Sequence, residues 1–187
     1  MSASLAELAA GRERYTYADY CRLPEGSPYQ LIGGELVMTP SPTPYHQMVS
    51  MKLELKMAGY VLEKGLGIVL YAPLDVCLGE TETYQPDIIF ISNERLAIIE
   101  EKCIKGAPDL VVEILSPGTA YYDLRRKYKV YEKEGVREYW IIDPGNKGVQ
   151  VFCLREGKFA LDQEIEQEGT VKSRVITGFQ IQAENIF

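Results

Sequence analysis

Two carboxylates and a lysine carry the chemistry this sequence could perform. Asp87 follows Gln85-Pro86 and heads the apolar run 88–91. Glu113 lies inside Pro108-Asp109-Leu110-Val111-Val112-Glu113-Ile114-Leu115, a stretch that is otherwise nearly all apolar. Ionised carboxylates in such surroundings are costly to desolvate unless a cation or a donor compensates them. Lys127 follows on the next element. Two acids and a lysine are what metal-dependent cleavage of a phosphodiester needs. The acids offer hard oxygen ligands, and the lysine offers charge where the transition state becomes anionic.

Strand and helix geometry sharpen this reading. Side chains alternate faces along a strand, so Asp109, Val111, Glu113 and Leu115 share one face, and Leu110, Val112 and Ile114 the other. Asp109 and Glu113 stand roughly 13 Å apart along an extended chain, too far to bind one ion together. Asp87 meets Glu113 only if their two strands are neighbours. On the helix expected at 122–134, Leu124 is taken as the centre of the apolar face. Tyr128 and Tyr131 then fall within about 40° of it and Lys127 about 60° away, at 100° per residue. Arg126, Lys129 and Lys133 cluster on the far side, so Lys127 is the cation that looks toward the sheet.

The same residues have plainer uses. A buried Asp or Glu can cap a turn or simply pair with Lys127. Asp109 reads as the cap of the turn after Pro108. His46, the single histidine, reads as a helix-start or packing residue rather than a ligand. Glu35, beside Gly33-Gly34, reads as a solvated hairpin acid.

The elements that must position these groups are legible in outline. A short helix is expected at 15–23, beginning near Thr16, and a hairpin at 29–38 around Gly33-Gly34. A proline-rich loop, 40–44, precedes a long helix over about 45–64. In that helix Met48, Met51, Leu55 and Leu62 are expected to face the core, and Gly65 and Gly67 end it. Strands follow at 68–78 and 84–92. The strand at 108–115 is apolar enough to be central in its sheet. After a turn at 116–119 come the helix at 122–134, closed by Gly135, and a strand at 138–143. The remainder, 149–187, reads as short strands ending on apolar Ile186-Phe187. Helix, three strands, helix, strand implies an α/β fold with a mixed sheet flanked by helices.

The chain has 187 residues, 46% hydrophobic and 25% charged. That profile suits one soluble domain with a sizeable core. No apolar run is long enough to cross a membrane, so no membrane partner is expected. The stretch Met1–Gly11 does not read as a signal peptide. Cys21, Cys77, Cys103 and Cys153 are scattered, with no Cys-x-x-Cys pair. A zinc site and a disulfide framework are therefore not indicated, and a cytoplasmic setting is expected. A net charge of −7 opposes unassisted, non-specific nucleic-acid binding, which rests on phosphate attraction.

The motifs together carry a resemblance. Gly34-Glu35-Leu36-Val37, Tyr45-His46-Gln47, Gln85-Pro86-Asp87, the stretch from Pro108 to Pro117, and Gly135-Val136-Arg137-Glu138-Tyr139-Trp140 resemble the Uma-two family of restriction-endonuclease-like proteins. The likeness runs from about Tyr15 to Phe187, and the ending with Gly178-Phe179 and Phe187 also fits. That family belongs to the PD-(D/E)xK nuclease superfamily. The resemblance implies a single nuclease-like domain over residues 1–187. Its restriction-endonuclease-like fold has core order αβββαβ, with an N-terminal helix and hairpin. It matches Asp87 to the first acid, Glu113 to the second, and Glu35 to an additional upstream acid. Leu115 stands where the usual lysine would be, and Lys127 resembles a lysine that has moved to the following helix.

The resulting expectation is a DNA endonuclease dependent on Mg²⁺, with Mn²⁺ as substitute, in which Asp87 and Glu113 hold the metal. Lys127 and Glu35 complete the catalytic set, and Arg125, Arg126, Lys129 and Lys133 are offered to the DNA backbone. A homodimer is expected, paired through the apolar C-terminal tail. The alternative is a catalytically silent nuclease-fold protein that binds nucleic acid or serves as a dimeric module.

Overall fold

The computed structural model describes residues 14–116 and 122–187. Met1–Gly11 and most of the turn expected at 116–119 lie outside them. The first element is a single helical turn, α1 (Tyr17–Tyr20). Thr16 caps it by a reciprocal box: its hydroxyl accepts the Asp19 N–H, and the Asp19 carboxylate accepts the Thr16 N–H. Strands β1 (Tyr29–Ile32) and β2 (Glu35–Met38) form the expected hairpin. Gly33 and Gly34 both take positive φ, 62° and 80°, the conformation a tight two-residue hairpin turn requires.

Helix α2 (Pro44–Lys64) starts where Thr43 accepts the His46 N–H and Pro44 needs no donor. It stops at Gly65 in the left-handed region, φ 62°. Its buried face is Val49, Leu53, Met57 and Val61, each fully buried. This corrects the stripe expected from sequence. Met48, Met51, Leu55 and Leu62 are 51%, 51%, 64% and 72% exposed. Two apolar stripes run along this helix at helical spacing, and only the sheet beneath decides which is covered.

The two long strands expected at 68–78 and 84–92 are each broken into two. The first becomes β3 (Gly67–Tyr71) and β4 (Val76–Gly79); the second becomes β5 (Glu82–Tyr84) and β6 (Ile88–Ser92). Pro73 and Pro86 lie at the breaks, where the missing N–H would interrupt a ladder. The halves belong to different sheets. A five-stranded sheet has the order β2-β1-β5-β4-β7, where β7 is Ile104–Lys105. A six-stranded mixed sheet has the order β11-β10-β9-β8-β6-β3. Here β8 is Leu110–Ile114, β9 is Glu138–Asp143, β10 is Gly148–Arg155 and β11 is Lys158–Glu166. The last two form a long hairpin where only short strands were expected. A small pair, β12 (Thr170–Lys172) and β13 (Gln180–Gln182), completes the strands.

β8 is central, as its apolar run implied. It pairs antiparallel with β6 and parallel with β9. Its alternation also holds. Leu110, Val112 and Ile114 join the core under α2, and Val111 joins the core on the opposite face. That second core is covered by helix α3 (Tyr128–Glu134), which continues from a π-helical turn, Tyr122–Lys127. The order α2, β3, β6, β8, α3, β9 reproduces the expected core, a mixed sheet with helices on both faces. The apolar C-terminal tail packs within its own chain. Ile186 is fully buried in the core beneath α2, and Lys52 Nζ donates to the Phe187 carbonyl at 2.7 Å.

Candidate functional site

β6 and β8 bring the two acids to adjacent strand ends. Their register pairs Ile88 with Val112 and Ile89 with Val111. One step further, Asp87 stands opposite Glu113 at the end of the ladder. The Asp87 carboxylate accepts the N–H of Ile114, the residue after Glu113, at 2.7 Å. Asp87 sits where the chain leaves the five-stranded sheet for the six-stranded one, and that position keeps its side chain 18% exposed. An open groove of about 410 Å³ reaches it, lined also by Gln47, Met48, Met51 and Tyr71.

Glu113 points to the α3 side and is almost wholly buried. Lys127 Nζ donates to its Oε1 at 2.9 Å, and the Tyr131 hydroxyl donates to the same oxygen at 2.6 Å. Lys127 also stands 5.8 Å from the centre of the Tyr84 ring, near enough for a cation–π attraction. Burial, reinforced by the charge of Glu113, holds the Tyr131 hydroxyl well above its usual range, so it remains a donor. Burial also raises Tyr84, whose hydroxyl donates to Glu82, and Glu82 in turn accepts the Gly33 N–H. The inward bearing of Lys127 is as expected, but the centre of its face is not. Lys127 and Tyr131 are the buried positions, and Leu124 is 44% exposed. The π-helical turn is wider than an α-turn, so a wheel drawn from Leu124 does not carry its phase into α3.

The other singled-out residues fall elsewhere. Glu35, on β2, pairs at the surface with Arg126 at 3.3 Å. Arg126 is thus held by an acid as well as lying near the expected basic face. Lys133 pairs with its neighbour Glu134. Asp109 does not cap its own turn. Its fully buried carboxylate accepts the Ser92 N–H at 2.8 Å and pairs with Arg95 and Arg137. Burial alone would raise its pKa, but the Ser92 and arginine contacts outweigh this and lower it. Asp109 therefore ties β6, β8 and the start of β9 together.

Sequence reasoning put Tyr131 on the inward face but missed its bond to Glu113, which it reaches from the face it shares with Lys127 at a spacing of four. It also missed the reach of His46. From the first turn of α2, His46 Nε2 lies 3.1 Å from the Ile114 carbonyl and 3.5 Å from Asp87 Oδ1. It missed Glu138 altogether, a buried carboxylate on β9 that accepts from Trp140 Nε1 and from the Arg174 and Val175 N–H groups.

Chemically, the end of β8 presents an accessible carboxylate, a second carboxylate behind it, and a lysine clamped to the second. The donors are hard oxygens that suit a divalent ion which keeps several waters. Among the described residues, no three His, Cys, Asp or Glu side chains converge in ligand geometry. Among the described residues, no helix is long and apolar enough to cross a membrane.

Comparison with known proteins agrees with this architecture. A solved structure described as a putative nuclease belonging to DUF820 from Anabaena variabilis ATCC 29413 superposes with a TM-score of 0.78. It is 21% identical and covers 92% of this chain and 97% of its own, a likeness that shows the fold. No curated protein matches the sequence. The sequence model of the Uma2 family, described as "Putative restriction endonuclease", matches residues 16–184. A match over nearly the whole length, on a nuclease-type fold that carries the expected αβββαβ core, places the chain in the Uma2 family.

Proposed function

We propose that this protein is a metal-dependent endonuclease that hydrolyses phosphodiester bonds of DNA. One observation carries the reading: a lysine from the following helix meets Glu113 at 2.9 Å, while Asp87 bonds to the very next residue of the same strand. Asp87 and Glu113 would hold Mg²⁺, with Mn²⁺ able to replace it. The ion, when bound, supplies Lewis-acid polarisation of the phosphoryl oxygen and a more acidic water. Lys127 fixes the Glu113 carboxylate and places positive charge beside the reacting group as it becomes anionic. Glu35 sits further out with Arg126 and would order the approach of the phosphate backbone, joined by Arg125 and Lys129. The scattered thiols fit a cytoplasmic setting. The exposed Leu55 and Leu62 on α2, which do not line the groove beside Asp87, support pairing of two copies, in place of the buried tail.

The test is cleavage of plasmid DNA with Mg²⁺ or Mn²⁺, set beside Asp87→Asn. Nicking or linearisation that depends on the ion and vanishes in the variant is the expected result. Equal treatment of plasmid by both proteins overturns the reading. A second reading, a silent nuclease fold that binds nucleic acid or a partner, is favoured by the closed contact of Glu113 with Lys127 and Tyr131. Under that reading the protein shifts DNA in a gel or pairs with itself but never cuts.

A further inference from the structure

We propose that the groove beside Asp87 is a seat for unpaired nucleobases, with Tyr71 as its stacking platform and Glu54 as acceptor for a base amino group, so that the chain takes single-stranded rather than duplex DNA. This rests on the endonuclease reading for the phosphate at Asp87 and adds the class of strand that reaches it.

The groove is a poor match for a sugar–phosphate backbone. Its lining holds two carboxylates, Asp87 and Glu54, and no Lys, Arg or His. Phosphates approach such a wall against like charge. The rest of its surface suits the flat face of a base. Tyr71, Met48 and Met51 line it and are 56%, 51% and 51% exposed. An aromatic ring stacks on any base, and the polarizable, unbranched methionine side chain adapts to one.

The elements on either side set the scale. α2 contributes Gln47, Ser50, Met51 and Glu54, spaced three and four apart and so on one face. From 47 to 54 the helix rises about 10 Å, the height of about three stacked bases at ~3.4 Å. Tyr71 closes β3, an edge strand of the six-stranded sheet, and its ladder partner is Ile88, the residue after Asp87. The Ala72 N–H donates to the Asp87 carbonyl at 3.0 Å. A base on Tyr71 therefore brings an adjoining phosphate to Asp87.

Glu54 supplies an edge contact. It is half-buried, burial alone raises its pKa, and no cation or donor among the described residues stands beside it. A carboxylate in that state gains by accepting from an exocyclic amino group such as that of cytosine. Thymine has no amino group to offer. A duplex hides base faces in its stack and uses the amino hydrogens in pairing, so only an unpaired strand meets both Tyr71 and Glu54.

The test uses the full chain in metal-free buffer, so that binding is read apart from cleavage. Fluorescence anisotropy compares a mixed-sequence strand alone and in duplex, and oligo(dC) with oligo(dT). A 2-aminopurine in the mixed strand reports stacking. The strand should bind about tenfold more tightly than the duplex, with the 2-aminopurine emission quenched. Tyr71→Ala should remove the quenching and cost about tenfold in affinity, while Tyr71→Phe keeps both. Tyr71 lies at the surface, so neither variant threatens the fold. Glu54→Ala should level a preference for oligo(dC) over oligo(dT). Equal affinity for strand and duplex, or a Tyr71→Ala variant that binds like the parent, overturns the inference. So does light scattering that shows a dimer which Tyr71→Ala splits, since a second copy then fills the groove. If plasmid is cut with Mg²⁺ but the strand binds no better than duplex, the inference falls and the endonuclease reading stands. If the strand binds through Tyr71 and nothing is cut, the base seat stands and the silent nuclease fold gains.

Discussion

Lys127 and Glu113 form an ion pair at 2.9 Å whose side chains are only 3% and 4% exposed. Tyr131 completes it from four residues further along the helical segment. A buried pair of this kind gains little over an apolar pair of the same shape, but removing one partner strands a charge, at a cost of roughly 3–5 kcal/mol.

Lys127→Met should therefore lower stability by about 3 kcal/mol or more, read from the chemical-denaturation midpoint. Glu113→Gln should also destabilise. The contact with Lys127 sets that sign, because the variant leaves the buried ammonium without its partner charge. The double variant should recover part of the loss. Additive losses in the double-mutant cycle would show that the pair is not coupled.

Leu53→Glu should prevent folding, since it puts an unpaired charge into the core. Leu55→Glu, on the exposed stripe of the same helix, should shift the unfolding midpoint by less than about 0.5 kcal/mol. Circular dichroism melts of the two variants check which stripe is covered. The Leu55 variant also tests self-association: light scattering should show a smaller particle if the stripe joins two copies.

Asp109 and Glu138 should respond to acid in opposite ways. The pKa of Asp109 is lowered in the folded chain, so its stabilisation is present above the unfolded carboxylate value and is lost as pH falls through the folded one. The pKa of Glu138 is raised by burial, against the pull of the Trp140, Arg174, Ser173 and Val175 contacts. Its contribution is present below the unfolded value and is lost as pH rises through the folded one. Asp109→Asn should flatten the decline in stability below about pH 4. Glu138→Gln should remove a gain that develops on acidification. Because Trp140, the single tryptophan, donates to Glu138, its fluorescence should report that protonation in the folded protein. A pH-independent emission below neutrality would count against the assignment.

Gly67→Ala should destabilise by roughly 3 kcal/mol. Gly67 has φ 150°, and a Cβ there would stand 2.1 Å from the Ile91 carbonyl oxygen. The rigid partner strand leaves the methyl nowhere to go. An unchanged melting temperature would mean that β3 and β6 part more readily than their pairing implies.

Much of this was legible in the sequence. The unbroken apolar run of 110–112 announced a central strand, and its alternation put Val111 and Glu113 on one face and Val112 on the other. What stayed hidden depends on contacts between elements. Pro73 and Pro86 showed that strands could break, but not that the pieces join different sheets. Two apolar stripes on α2 are equivalent until a sheet covers one. Tyr131, His46 and Asp109 act on partners 18 or more residues away, or through backbone atoms, as in the bonds to Glu113, Ile114 and Ser92. No local pattern encodes such pairings.

The π-helical turn ahead of α3 has a further consequence for how this chain can vary. Below it, Tyr131 and Tyr128 pin the helix to the sheet through packed rings. Within it, Leu124 and Arg125 are solvent-facing. The wide turn thus works as a phase adapter. A residue gained or lost on its N-terminal side can be absorbed by tightening or widening the loop of backbone, while the bearing of Lys127 stays tied to the helix below. Lys127, the last residue of the turn, thereby takes its aim from α3.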